Sequence, residues 1–278
     1  MKKCRRKAET KMMDRYNVRT DLALEQRERF VSDQIEIPGV AVEETYDDMC
    51  EVRVTTVRIE TENGAAVMGK PVGNYITLEA PKMAEADESY HREISGKLME
   101  VLEGCLPEKK DGQSILIIGL GNRNVTPDAL GPLVVEHLDI TRHLVKEYGK
   151  YALGGEADRI VSAVVPGVMG QTGMETVEIV RGIVEETEPD FVIAIDALAA
   201  RSVRRLNRTI QIADTGIAPG SGVGNHRNAI TEETVGVPVI AIGVPTVVDA
   251  ATIVGDSIEE YVAKCRDEGM RENKEHLI

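Results

Sequence analysis

Tryptophan is absent from this chain of 278 residues and phenylalanine occurs only twice. A core without large aromatics must be filled by Val, Ile, Leu and Ala, and an apolar content of 42% is ample for one main domain. Runs of Val, Ile, Ala and Gly suit a sheet covered by helices on both faces. Long apolar runs are missing as well. Nothing approaches the roughly eighteen consecutive apolar residues of a membrane span, and the basic head MKKCRRKAETKMMDRYN lacks the apolar stretch of a secretory signal after it. The four cysteines, Cys4, Cys50, Cys105 and Cys265, make no Cys-x-x-Cys pair and have no metal-ligand spacing. They read as reduced thiols of a cytoplasmic protein with no metal and no other cofactor.

Positive charge is scarce too. A formal net charge of -14 leaves no field to hold phosphates, which argues against a direct nucleic-acid partner. The shortage is uneven: of 33 basic and 47 acidic residues, eight and three fall within residues 1–21. A basic arm therefore precedes an acidic body, either docked on it electrostatically or left as a solvated tail.

The body divides into two patterns. Residues 49–59 and 74–79 alternate apolar and polar around Asn63-Gly64 and Gly69 to Gly73, which predicts a small N-terminal antiparallel β appendage at about 40–85. After an amphipathic helix from about residue 88, short apolar runs recur at 115–118, 160–165, 191–195, 210–213 and 237–242. Candidate helices separate them near 132–148, 174–187 and 197–207, and a last amphipathic helix carries Ile258, Tyr261, Val262 and Cys265. The expectation is an α/β fold: a mostly parallel central sheet flanked by helices, in one domain spanning 22–278. Ligands of such sheets gather at the carboxyl ends of the strands. Four segments are placed on that rim: 119–131, 166–174, 196–202 and 214–228.

GLGNRNVTPDALGP, residues 119–132, resembles a phosphate-binding turn but has Asn124 where a dinucleotide fingerprint needs its third Gly, and no Gly-Lys-[Ser/Thr] follows. Thr126-Pro127-Asp128 reads instead as a helix start, where Asp128 either complements the helix dipole or does chemistry. Asp196 directly follows the apolar run Phe191–Ile195, at the mouth of a dry strand where an unused carboxylate is costly. Two acids on different strand ends that enter one crevice can share a proton, one activating water and the other hydrogen-bonding a scissile carbonyl. The helix start favours ionised Asp128 as the base, and the apolar strand mouth favours protonated Asp196 as the acid, although a coupled pair titrates as a pair. Ser221 lacks the Gly two residues earlier that a nucleophile elbow requires. His226 is either a base or ligand or an ordinary surface residue. Arg201, Arg204, Arg205 and Arg208 form a solvated face from which one or two guanidinium groups, Arg201 and Arg204 foremost, would clamp a substrate carboxylate.

VRTDLALE (18–25), GLGNRNVTPDALGP (119–132), TRHL (141–144), VPGVMGQTGMET (165–176), IAIDALAARS (193–202), GIAPGSGVGNHR (216–227) and GVPTVVDA (243–250) together resemble the germination protease family, from about residue 17 to about 256. That resemblance implies an atypical aspartic endopeptidase that degrades small acid-soluble spore proteins at germination. It implies a cytoplasmic, spore-core homotetramer made as a zymogen, with the phosphorylase/hydrolase-like fold shared by hydrogenase maturation proteases. The catalytic pair carries over to Asp128 and Asp196. The family's cleavage pattern fits Asp21-Leu22-Ala23-Leu24-Glu25, which makes 1–21 a basic pro-segment removed by self-cleavage between Asp21 and Leu22. Many members continue well beyond the last helix whereas this sequence stops at Ile278, so the resemblance carries the site further than the assembly. Two rivals remain: a metal-dependent maturation-type protease, and a nucleotide-binding regulatory α/β module.

Overall fold

The computed structural model describes residues 20–31, 37–85, 87–149, 159–220 and 228–275. Eight strands form one sheet: β1 (Val40–Asp47), β2 (Val52–Ile59), β3 (Gly73–Glu79), β4 (Gln113–Gly119), β5 (Arg159–Val164), β6 (Phe191–Ala200), β7 (Thr209–Ala213) and β8 (Val239–Val248), in the order β1-β2-β3-β7-β8-β6-β4-β5. The helices are α1 (Ala23–Val31), α2 (Glu62–Met68), α3 (Glu88–Glu103), α4 (Leu130–Glu136), α5 (Arg142–Tyr148), α6 (Met169–Thr172), α7 (Thr176–Thr187), α8 (Glu232–Val235) and α9 (Ala250–Glu275). None of the described helices is long and apolar enough to cross a membrane.

The expected mostly parallel sheet is corrected by the pairing. The β8–β6, β6–β4 and β4–β5 pairs are parallel, but β1–β2, β2–β3, β3–β7 and β7–β8 are antiparallel, so antiparallel pairs are the majority. The cause is the link from Ala200 to Thr209, which contains only the 3-10 turn Val203–Arg205. A parallel return needs a crossover of about a dozen residues or more, and without one β7 runs back the other way. The N-terminal meander then joins the main sheet through β3 and β7 instead of standing apart.

Two expected helices also differ. The sequence predicts a loop and helix over 197–200, yet Ala197 to Ala200 pair with Val244 to Val248 of β8. Cross-strand pairing and burial override the helix propensity of Ala and Leu here. The 132–148 helix is broken into α4 and α5, because Thr141 turns aside to bond β5: its amide donates to Val161 O and its hydroxyl accepts from Val161 N.

Apolar side chains fill both faces of the sheet. On one face Ile115, Ile117, Phe191, Ile193, Ile195 and Ile212 pack with Tyr90 and Ile94 of α3. On the other, Leu116, Ile118, Val192 and Ala194 meet Val180 and Val184 of α7, and Ala23 of α1 joins Val57, Ile59, Tyr75 and Ala213. Asp87 caps α3 by accepting from Ser89 N and Tyr90 N, and Thr61 caps α2 by accepting from Gly64 N.

The carboxyl ends of β4, β5, β6 and β8 share one edge. Antiparallel β7 ends at the opposite edge, and the Ile217–Ile230 bridge closes its loop before β8 begins. The segment starting at Asp214 is therefore not rooted on the rim where it was expected. Ser221 and His226 lie outside the described residues, as do residues 1–19 of the basic arm.

Candidate active site

β6 outruns its neighbour. The last β4–β6 pair is Gly119 with Ile195, and Asp196 is the first residue after it, where β4 turns away. Leu120 keeps one tie, its amide donating to Ile195 O at 2.8 Å. Asp196 is 5% exposed and its Oδ1 accepts from Ala197 N at 2.9 Å. Burying a carboxylate at this point is costly, so its position against the departing loop is the feature to explain.

That loop carries Asp128. Thr126–Asp128 is a 3-10 turn packed on both β6 and β8, and α4 begins only at Leu130. Asp128 is therefore not in the first turn of an α-helix, and Val125, not Thr126, precedes the turn. Its Oδ2 accepts from Asn122 N at 2.8 Å, and its own amide donates to Val125 O. Thr246 of β8 clamps the turn by donating to Pro127 O at 2.6 Å. The chain from Asp128 through Asn122 to Leu120 and Ile195 thus ties the loop bearing one acid to the residue before the other.

Two glycines make this closeness feasible. A Cβ on Gly131 would lie 2.4 to 2.6 Å from Leu120 O, Leu120 N and Ile195 O, all backbone atoms. Gly121, at φ +111, would place one 2.0 Å from Asp128 O. The 166–174 segment reaches the same loop, since Gln171 Nε2 donates to Asn122 Oδ1 at 3.3 Å.

The third contributor is the N-terminal segment. In register Asp196 pairs with Gly243, and Gly243 with Gln211 of β7, so the three share one face of the sheet. Gln211 holds the chain just before α1: Oε1 accepts from Ala23 N at 2.7 Å and Nε2 donates to Asp21 O at 3.2 Å. Lys70 Nζ donates to the same Asp21 oxygen at 2.7 Å. Asp21 N donates to Ala199 O, and Ala199 N donates to Asp21 Oδ2 at 2.9 Å. Leu22 is fully buried against Leu198, Ala200, Ile217 and Val248.

Glu25, 3% exposed, meets Thr20 Oγ1, Arg201 N at 2.7 Å and Arg205 at 3.2 Å. Burial raises its carboxyl pKa, opposed by the Thr20 hydroxyl, the Arg205 charge and the Arg201 amide. Burial alone would lower the Arg205 pKa, but hydrogen bonds and charge from Glu28, Glu25 and Glu79 hold it above its ordinary value. Arg205 thus grips buried Glu25, Arg201 adds its backbone amide to the same carboxylate, and Arg204 is exposed. The Arg cluster was visible in the sequence, but Lys70 and Gln211 left no local signal because their partners lie 49 and 190 residues away.

Among the described residues, no group of three or more His, Cys, Asp or Glu is placed to hold a metal ion. The arrangement offers two acids on adjoining elements, beside a bound peptide segment with a doubly hydrogen-bonded carbonyl.

The family model described as germination protease matches residues 18–277. The germination protease of Caldanaerobacter subterraneus subsp. tengcongensis is 51% identical over 256 residues, covering 92% of this chain and 77% of the relative. That of Bacillus subtilis is 48% identical over 269 residues, covering 94% and 71%, and that of Clostridium perfringens is 50% identical over 248 residues, covering 88% and 74%. With the family model spanning nearly the whole chain and half the positions identical to these relatives, this chain belongs to the germination protease family of peptidases.

Proposed function

We propose that the chain is an aspartic endopeptidase whose working pair is Asp128 and Asp196, that its substrates are small acid-soluble spore proteins, and that it acts in the spore core as a homotetramer. The observation that carries this reading is the placement of buried Asp196 where β4 leaves β6, with the Asp128 loop tied to the preceding residue. Asp128 takes a proton from water, and Asp196 donates one to the substrate. The pair shares one proton, so neither step belongs to one carboxyl alone.

In this reading residues 1–21 are a pro-segment and the bond between Asp21 and Leu22 is cut by the molecule that bears it. Burial supports a cut in cis: Leu22 is fully buried, and Asp21 is hydrogen-bonded through amide, carboxylate and carbonyl. A bond held in this way is closed to the cleft of a second molecule.

The experiment is digestion of a spore protein, or of a peptide containing Asp-Leu-Ala-Leu-Glu, by the processed chain. Asp128→Asn and Asp196→Asn should each abolish cleavage, and EDTA should leave the parent unaffected. Loss of activity in EDTA with recovery on adding a divalent metal would favour the maturation-type metal reading. Thermal stabilisation by nucleotide without cleavage would favour the regulatory one.

A further inference from the structure

We propose that Lys70 and Gln211 form the electrophilic clamp that stabilises the reacting carbonyl in self-processing, a role that rests on the proposed cut between Asp21 and Leu22. The two donors come from different elements, Lys70 from the turn after α2 and Gln211 from β7, and converge on one oxygen at 2.7 and 3.2 Å. That oxygen is the carbonyl of the bond to be broken. Donors already aimed where charge will develop need no rearrangement at the moment of reaction.

The frame around the bond is held on both sides. Asp21 is fixed to Ala199 through its amide and carboxylate, Leu22 N donates to Thr20 Oγ1, and Ala23 N donates to Gln211 Oε1. The carbonyl therefore cannot swing away from its donors. The Lys70 ammonium also lies near the Asp21 carboxylate and the Tyr75 ring, and a cation aimed at a carbonyl oxygen binds it far more strongly once that oxygen carries negative charge.

Burial pushes the Lys70 pKa below its ordinary value, with the Asp21 carboxylate opposing that shift. Among the described residues Tyr75 also faces it, with its ring centroid 5.9 Å from Nζ. Burial pushes the Tyr75 phenol up to about 12, with the Thr215 hydrogen bond lowering and the Asp214 charge raising it, so the ring stays neutral while Lys70 titrates.

In the step, water adds to the Asp21 carbonyl carbon, and the carbonyl oxygen becomes an oxyanion held by Lys70 and Gln211. Collapse breaks the Asp21 carbon to Leu22 nitrogen bond. The first proton given up by the water passes through the aspartate pair to the Leu22 nitrogen as the bond breaks, and the second, left on the new carboxyl group, follows to the released amine, leaving an α-carboxylate on Asp21 and an ammonium on Leu22. Lys70 keeps its proton throughout.

The test is the rate at which full-length chain yields a Leu22 N-terminus, followed between pH 6 and 10.5 for the parent, Lys70→Met and Lys70→Arg, with folding checked by circular dichroism. Loss of one oxyanion donor costs about 100- to 1000-fold, and that slowing is the expected result for Lys70→Met. Beyond any decline from loss of the proton shared by the aspartate pair, the parent should lose further rate at alkaline pH as the ammonium deprotonates, whereas Lys70→Arg should retain cleavage and lack that further decline, because a guanidinium stays charged. The clamp is overturned if folded Lys70→Met cleaves within about threefold of the parent. It is overturned equally if that further decline persists unchanged in Lys70→Arg, a measurement that stands even where Lys70→Met fails to fold. A parent that never yields a Leu22 terminus overturns the cleavage reading and the clamp together. Cleavage that survives in Asp128→Asn and Asp196→Asn but is lost in Lys70→Met overturns the aspartate pair and leaves the clamp.

Discussion

Arg205 and Glu25 are joined across 180 residues of sequence at 3.2 Å, with the carboxylate side chain 3% and the guanidinium side chain 13% exposed. Arg205 also donates to both oxygens of Glu28, at 2.9 and 2.7 Å, and to Glu79 at 3.0 Å. It fastens the start of α1 to β3 and to the turn after β6. Removing one partner of a buried pair leaves the other charge uncompensated, at about 3–5 kcal/mol. Arg205→Met should lower the stability of the folded chain by that order in urea titration. Arg205→Lys should recover only part of it, since an ammonium cannot reproduce the planar fork.

The raised pKa of Glu25 sets a pH dependence with a definite sign. Between the ordinary value of 4.5 and its raised folded value, the folded chain keeps a proton that the unfolded chain releases. The contribution of this group is therefore full below pH 4.5 and lost as pH rises through the folded value. Glu25→Gln does not titrate, so its melting temperature should gain on the parent's from pH 4.5 towards 7. A difference that stays flat, or runs the other way, contradicts the assignment.

Gly131 and Gly182 make a matched comparison. Gly131→Ala forces a methyl group against three backbone atoms of Leu120 and Ile195, and overpacking of this kind costs about 1–3 kcal/mol. The displaced loop carries Asp128, so processing should slow as well. Gly182 lies within α7 with nothing within 4 Å of its would-be Cβ, and Gly182→Ala should stabilise by about 0.5–1 kcal/mol. Chemical denaturation of both variants, beside their processing rates, checks the contrast.

Much of the strand content was legible in the sequence, because short apolar runs such as Ile115–Ile118 and Phe191–Ile195 mark buried strands whatever their direction. Direction itself was not. Ile210 to Ala213 looks alike in either sense, and only the short link after Ala200 reverses β7, which removes the Asp214 segment from the rim. Asn63-Gly64 punctuates two strand patterns in the sequence, and the structure places a short helix there, capped by Thr61, with Gly64 packed at the backbone of Gly39. Asp128 and Asp196 stood out because each sits at a strand or helix boundary beside apolar residues. Lys70, Gln211 and Arg205 act through partners far along the chain, a relation that no local pattern records.

An arm that docks by charge should respond to salt. If the basic residues of 1–21 hold the chain latent against the acidic body, peptide cleavage by the unprocessed protein should rise as sodium chloride goes from 50 mM to 1 M, over which the screening length shortens to about 3 Å. Activity indifferent to ionic strength would mean that the arm blocks by packing instead.

The most direct measurement is N-terminal sequencing of the purified chain after incubation, beside Asp128→Asn and Asp196→Asn treated identically. The account predicts a new terminus at Leu22 in the parent and an intact Met1 terminus in both variants. A Leu22 terminus appearing at the parental rate in either variant would contradict it.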